Sequence, residues 1–143
     1  MGNPQIGIEI IDKSLTDNHY WRKLVTMFAL VGMRFEIHCW NEETEEIKAA
    51  SIYGEVKTSD WEFGTIIEGM LDEKFIEMIY HTIKPQDTEI HNKMTPFFSI
   101  FFENGFSSEH YGTEFHILSA PTEDLNFTAL LEEIREYAII NKY

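Results

Sequence analysis

Between Met33 and Trp40 the side chains alternate without a break. Met33, Phe35, Ile37 and Cys39 are apolar, and Arg34, Glu36, His38 and Trp40 fall between them. A period of two sends successive side chains to opposite sides of an extended backbone, so this segment is a strand with one buried face. Ala50, Ile52 and Val56 suit the core side of a second strand. Trp61, Phe63, Thr65 and Ile67 alternate with Glu62, Gly64, Ile66 and Glu68 in a third. The polar runs 41–46 and 57–60 are short connections, and short connections demand antiparallel neighbours.

Helical spacing frames this meander. Ser14-Leu15-Thr16-Asp17 resembles a capping box, with Trp21, Leu24, Val25, Phe28 and Val31 behind it and Gly32 as a stop, which predicts a helix over 15–31. Leu71, Phe75, Met78, Ile79 and Thr82 form a second helix, ended by Pro85. Residues 97–102 are apolar on both parities. That describes a central strand with both faces covered by neighbours, or with one face covered by a partner. Asn104-Gly105 is a type I′ hairpin signal, with a return strand over 111–119 and a bulge at Gly112. Pro121-Thr122-Glu123-Asp124 opens the last helix with a Thr cap, and Phe127, Leu130, Leu131, Ile134 and Ala138 are its buried stripe. Residues 6–10 suit a short edge strand. The expected order is α-β-β-β-α-β-β-α, an α+β fold with helices packed on an antiparallel sheet in a single domain, 1–143. Phe28, Phe35, Trp61, Phe75, Phe101 and Leu131 are its expected core.

Apolar residues make up 43% of the 143 residues, ample for such a core. Cys39 is the only cysteine, so no intramolecular disulfide forms. The N-terminal residues lack the basic start and apolar run of a signal peptide, and no apolar stretch approaches ~18 residues, so a cytoplasmic protein without a membrane span is expected.

The formal net charge is −14, from 25 Asp and Glu against 11 Lys and Arg. A surplus of carboxylates repels phosphate backbones and anionic lipid, and steers basic surfaces. Nucleic acid and membrane are therefore excluded as partners, and a basic protein is favoured. The acids group at Glu42, Glu43, Glu45 and Glu46, at Glu68, Asp72, Glu73 and Glu77, and at Glu132, Glu133 and Glu136. Such groups either solubilise or dock a positive surface. Glu42, Glu43, Glu45 and Glu46, with Glu132, Glu133, Glu136 and the neighbouring Trp40, are the candidate contact residues.

Chemistry-bearing constellations are sparse. On a strand, Glu114 and His116 share a face and can share a metal ion, with His110 joining through a bend at Gly112 and His91 approaching from the preceding loop. No HExxH or CxxC accompanies them, so no cofactor is expected. Glu36 and His38 also share a face, either as an acid–base pair or as a solvated ion pair beside a cross-strand aromatic contact. Cys39 and His38 point to opposite faces and cannot form a nucleophile pair. Cys39 suits a small buried apolar residue. No glycine-rich phosphate loop is present.

A small acidic α+β domain, a tryptophan-bearing meander, the acidic run 41–46 and an acidic closing helix after Pro121-Thr122-Glu123-Asp124 together resemble the immunity proteins of bacterial toxin–immunity systems, including contact-dependent growth inhibition. The resemblance spans the chain and implies a cytoplasmic protein that blocks a cognate toxin, often a nuclease. It assigns no individual residue. Two other readings stand beside it. One is a small enzyme or ligand-binding domain using the His/Glu cluster. The other is a nucleic-acid mimic, which needs carboxylates strung regularly along one face.

Overall fold

The computed structural model describes residues 3–86 and 92–143. It shows an α+β fold in which an eight-stranded antiparallel sheet carries helices packed against it. In chain order the elements are β1 (Ile6–Ile10), α1 (His19–Phe28), β2 (Arg34–Trp40), α2 (Thr44–Ser51), β3 (Glu55–Lys57), β4 (Gly64–Met70), α3 (Glu73–His81), β5 (Ser99–Phe102), β6 (Phe106–Glu109), β7 (Glu114–Ile117), α4 (Leu125–Ile134) and β8 (Ala138–Lys142). Across the sheet the strands run β3-β4-β2-β5-β6-β7-β1-β8. No helix among the described residues is long and apolar enough to cross a membrane.

The alternation over 33–40 is realised in full. Phe35, Ile37 and Cys39 are buried beneath the helices, while Glu36, His38 and Trp40 are half-buried on the other side. Trp21 and Tyr20 of α1, Phe75 of α3 and Phe127 of α4 fill the core against Ile8, Ile67, Ile100 and Phe115 of the strands. Trp21 Nε1 donates to Ser108 Oγ at 2.9 Å, and Tyr20 Oη donates to the Gly112 carbonyl at 2.8 Å, so both buried polar tips are satisfied.

The element order differs from the sequence expectation in several places. The run 41–46 opens helix α2 instead of turning a hairpin. Thr44–Ser51 is rich in good helix formers, its first-turn acids Glu45 and Glu46 suit the positive end of the helix, and Lys48 suits the last turn. Ala50 is consequently buried on a helix, and Ile52 and Val56 are exposed. Alternation over only a few residues lost to helix propensity. Helix α1 begins later than expected and ends three residues earlier. Asp12, not the expected box, accepts the Ser14 amide, and Asn18 spends its side chain on the Thr82 and Met94 carbonyls at 3.0 and 2.9 Å. Gly32 does not cap α1. At φ 90° it lies in the turn entering β2, where its amide donates to Leu71.

Further along, strand β4 starts at Gly64, so Trp61 and Phe63 precede it. The hairpin at Asn104-Gly105 forms, but Gly105 alone has a positive φ, 86°, which type I′ geometry does not allow. Its return is β6, which lies ahead of the strand expected over 111–119. The sequence 110–112 turns the chain into β7 and is not a bulge. Asp124, rather than Thr122, caps α4 by accepting from the Asn126 and Phe127 amides. Ala138 starts β8, a strand absent from the expectation. With β8 on its outer side, β1 is interior rather than an edge. Of the expected core, Phe35, Phe75 and Leu131 are buried, whereas Phe28, Trp61 and Phe101 are half-buried.

Candidate functional site

The face of the sheet opposite the buried core is open, and its side chains fall in rows across the strands. One row runs the whole width in paired register: Glu55, Glu68, Glu36, Phe101, Ser107, His116, Gly7 and Asn141. In the neighbouring row Lys57, Ile66, His38 and Ser99 are paired on one side, and Glu109, Glu114, Glu9 and Ile139 on the other.

Aromatic rings form the ridge of this face. Trp40 lies 5.1 Å from Trp61, edge to face, and 5.0 Å from Phe98. His38 lies 4.7 Å from Phe101 and 5.7 Å from Trp61. Trp61 reaches the ridge because residue 64 is glycine: a Cβ there would sit 2.2 Å from the indole ring. A hollow of about 440 Å³ on one flank is bounded by Arg34, Glu36, His38, Glu68 and Phe101. Another of about 620 Å³ is bounded by Glu9, Lys13, Trp40, Phe98, His110 and Glu114.

The two flanks differ electrically. On the first, Lys57 Nζ lies 2.9 Å from Glu36 Oε2 and 3.8 Å from Glu68, and Arg34 lies 3.7 Å from Glu68. His38 Nε2 donates to the other Glu36 oxygen at 3.0 Å. That bond, reinforced by Lys57 and opposed by partial burial, holds the Glu36 carboxyl below its ordinary range, and Glu36 holds the Lys57 ammonium above its own. Both Glu36 oxygens are thus occupied, in the ion-pair arrangement with cross-strand aromatic contacts. On the second flank Glu9, Glu114 and Glu109 stand directly opposite one another on β1, β7 and β6. Like charges so placed repel. Glu109 meets His116 at 3.5 Å and accepts from the Ser107 hydroxyl at 2.8 Å, and Glu114 meets His110 at 3.5 Å.

Glu114 and His116 do share a face, as their spacing requires, but they join different pairs: His110 with Glu114 and His116 with Glu109. Among the described residues no group of three His, Cys, Asp or Glu converges on a metal position. His91 lies outside the described residues.

The acidic candidates divide by how much of their charge is spent. Glu43 accepts from the Trp40 amide at 2.8 Å and the Tyr111 hydroxyl at 3.0 Å, lies 3.8 Å from Lys93, and its side chain is only 12% exposed. It tethers α2 to the rest of the molecule. Glu42 and Glu45 are exposed and Glu46 is half-buried. Glu133 meets His19 at 2.9 Å and Glu132 meets Arg135 at 3.2 Å, while Glu136 is exposed. Of the expected partner-contact residues, Trp40 is the one that borders the open face. Sequence reasoning missed its companions Trp61, Phe98 and Phe101, assigning Trp61 and Phe101 to the core. The available signal was the stretch 97–102, apolar on both parities.

No protein-family model matches this chain, and no curated protein or solved structure shows significant similarity to it.

Proposed function

We propose that this is an acidic binding protein that neutralises a basic partner protein, as a cytoplasmic immunity protein does with its cognate toxin. The supporting observation is the excess of carboxylates, 25 against 11 Lys and Arg, displayed on separate surfaces: the start of α2, the end of α4 and the open sheet face. A net charge of −14 on 16.8 kDa exceeds the magnitude of roughly 2–8 that solubility asks of a small domain. A field of that sign raises the encounter rate with a positive cleft and penalises acidic competitors.

The test is to recover the partner from the source cells and measure association by stopped flow. The expected partner is basic, arrests growth when expressed alone, and is silenced by co-expression of this protein. Association should slow about tenfold or more from low to high salt. A neutral or acidic partner, with association indifferent to salt, would overturn the proposal.

A further inference from the structure

We infer that the partner docks on the open sheet face, laying an arginine- or lysine-bearing segment across Glu109, Glu114 and Glu9 with the Trp40–Trp61–Phe98–Phe101 ridge as its anchor. This rests on the basic-partner reading and adds the surface that reading leaves open.

Charge complementarity specifies the occupant. Lys57 and Arg34 already bridge Glu36 and Glu68 on one flank. On the other flank Glu9, Glu114 and Glu109 are directly opposed. Glu109 meets His116 and the Ser107 hydroxyl, Glu114 meets His110, and Lys13 is the one lysine among the described residues that borders the hollow beside Glu9 and Glu114. A row of like charges is unfavourable when empty and becomes favourable once cations lie along it. Guanidinium groups also stack on aromatic faces, and Trp40 and Phe98 border the same hollow as Glu9 and Glu114.

The ridge supplies what charge alone does not. Trp and Tyr anchors ringed by polar groups dominate binding energy at interfaces. These anchors are set before any partner arrives: Trp40 ends a strand with its amide held by Glu43, and Trp61 packs closely against Gly64. Side chains already ordered lose little entropy on binding. Eight strands at ~4.8 Å span about 34 Å from the first to the last, wide enough for an ordinary interface. Two of the competing carboxylates are already engaged, Glu43 on its tether and Glu132 on Arg135.

The experiment titrates a nona-arginine peptide into the protein at low salt and follows amide and tryptophan indole NMR signals. Trp21 is fully buried and serves as the internal control, whereas Trp40 and Trp61 lie on the ridge. The expected result is movement of the Trp40 and Trp61 indoles and of the Glu9, Glu109 and Glu114 amides, with the Trp21 indole still. Joint replacement of Glu9, Glu109 and Glu114 by Gln should weaken binding about tenfold or more, and Trp61→Ala about fivefold or more. Joint replacement of Glu132, Glu133 and Glu136 by Gln should change it less than about twofold. Trp61 sits in a loop, so its variant remains informative if the strand variants fail to fold. Movement confined to 42–46 or 132–136, or spread evenly over every acidic residue, would overturn the docking face and leave the basic-partner reading standing. No movement anywhere would overturn that reading as well.

Discussion

Cys39 and His38 are adjacent in sequence and opposite in chemistry. His38 lies on the open face against Glu36, while Cys39 is fully buried. Burial, with Glu43 and Glu46 adding repulsion, pushes the Cys39 thiol up to about 12. The thiolate is the reactive species, so iodoacetamide should leave Cys39 untouched in the native protein at mildly alkaline pH and label it fully in denaturant. Labelling at equal rates in both conditions would contradict this burial. Phe75 and Phe101 form a second contrast. Phe75 is enclosed by Phe35, Tyr53 and Phe102, so Phe75→Ala should cost ~3–5 kcal/mol in denaturant unfolding. Phe101 is half-exposed, and Phe101→Ala should cost less than ~2 kcal/mol. Equal losses would place Phe101 in the core after all. Strand parity alone separates Cys39 from His38. It cannot separate Phe101 from Phe102, because both are apolar and only the helices covering one face distinguish them.

At the scale of elements, the turn between β6 and β7 holds His110, Tyr111 and Gly112 in succession at φ 51°, 58° and 81°. Left-handed backbone costs a non-glycine residue roughly 1–2 kcal/mol. Contacts from distant segments hold it in place. The Tyr111 amide donates to Phe98, the Tyr111 carbonyl accepts from Met94, its hydroxyl donates to Glu43, and Lys93 lies 4.5 Å from the ring centroid. Gly112 has no room for a side chain, since a Cβ would lie 2.8 Å from Trp21 Cδ1. Gly112→Ala should therefore destabilise by ~1–3 kcal/mol, read from the denaturation midpoint. A stability change within ~0.5 kcal/mol would show that the turn relaxes freely. Gly64→Ala acts differently. It should lift Trp61 off the ridge, shift its indole signal and leave the core signals in place, while an unmoved indole would remove Gly64 as the seat of that anchor.

At the scale of the molecule, the charge that attracts a partner also strains the fold. With a net charge of −14 the carboxylates repel one another across the surface, and salt screens that repulsion. Raising salt from about 10 to 200 mM should raise the thermal midpoint while it weakens partner binding. A midpoint that falls with salt would show that ion pairs such as Lys57–Glu36 outweigh the repulsion. That pair has its own pH signature. The Glu36 carboxyl is lowered in the fold, so its stabilisation is present above the usual range near ~4.3 and is lost as pH falls through the folded value. The Lys57 ammonium is raised, so its stabilisation is present below ~10.4 and is lost as pH climbs past its folded value. Glu36→Gln should flatten both limbs of the stability–pH curve. Unchanged limbs would show that the pair is solvated away.

What the sequence by itself determined is what short-range physics controls. Composition set the sign of the field and the scale of the core, and period two set the buried side of β2. The Asn104-Gly105 pair placed a hairpin, and apolar spacing placed α1, α3 and α4 to within a few residues. Only the tertiary structure decided which strands became neighbours, since β1 pairs with β7 and β8 from the far end of the chain. It also decided which face stayed open and which carboxylates, such as Glu36 and Glu68, met a lysine or arginine. Alternation records that two faces differ, but not whether a helix will lie on the second one. A glutamate's chemistry depends on what the fold brings to it: Glu43 becomes a tether, Glu36 an ion pair, and Glu9 one member of an opposed row.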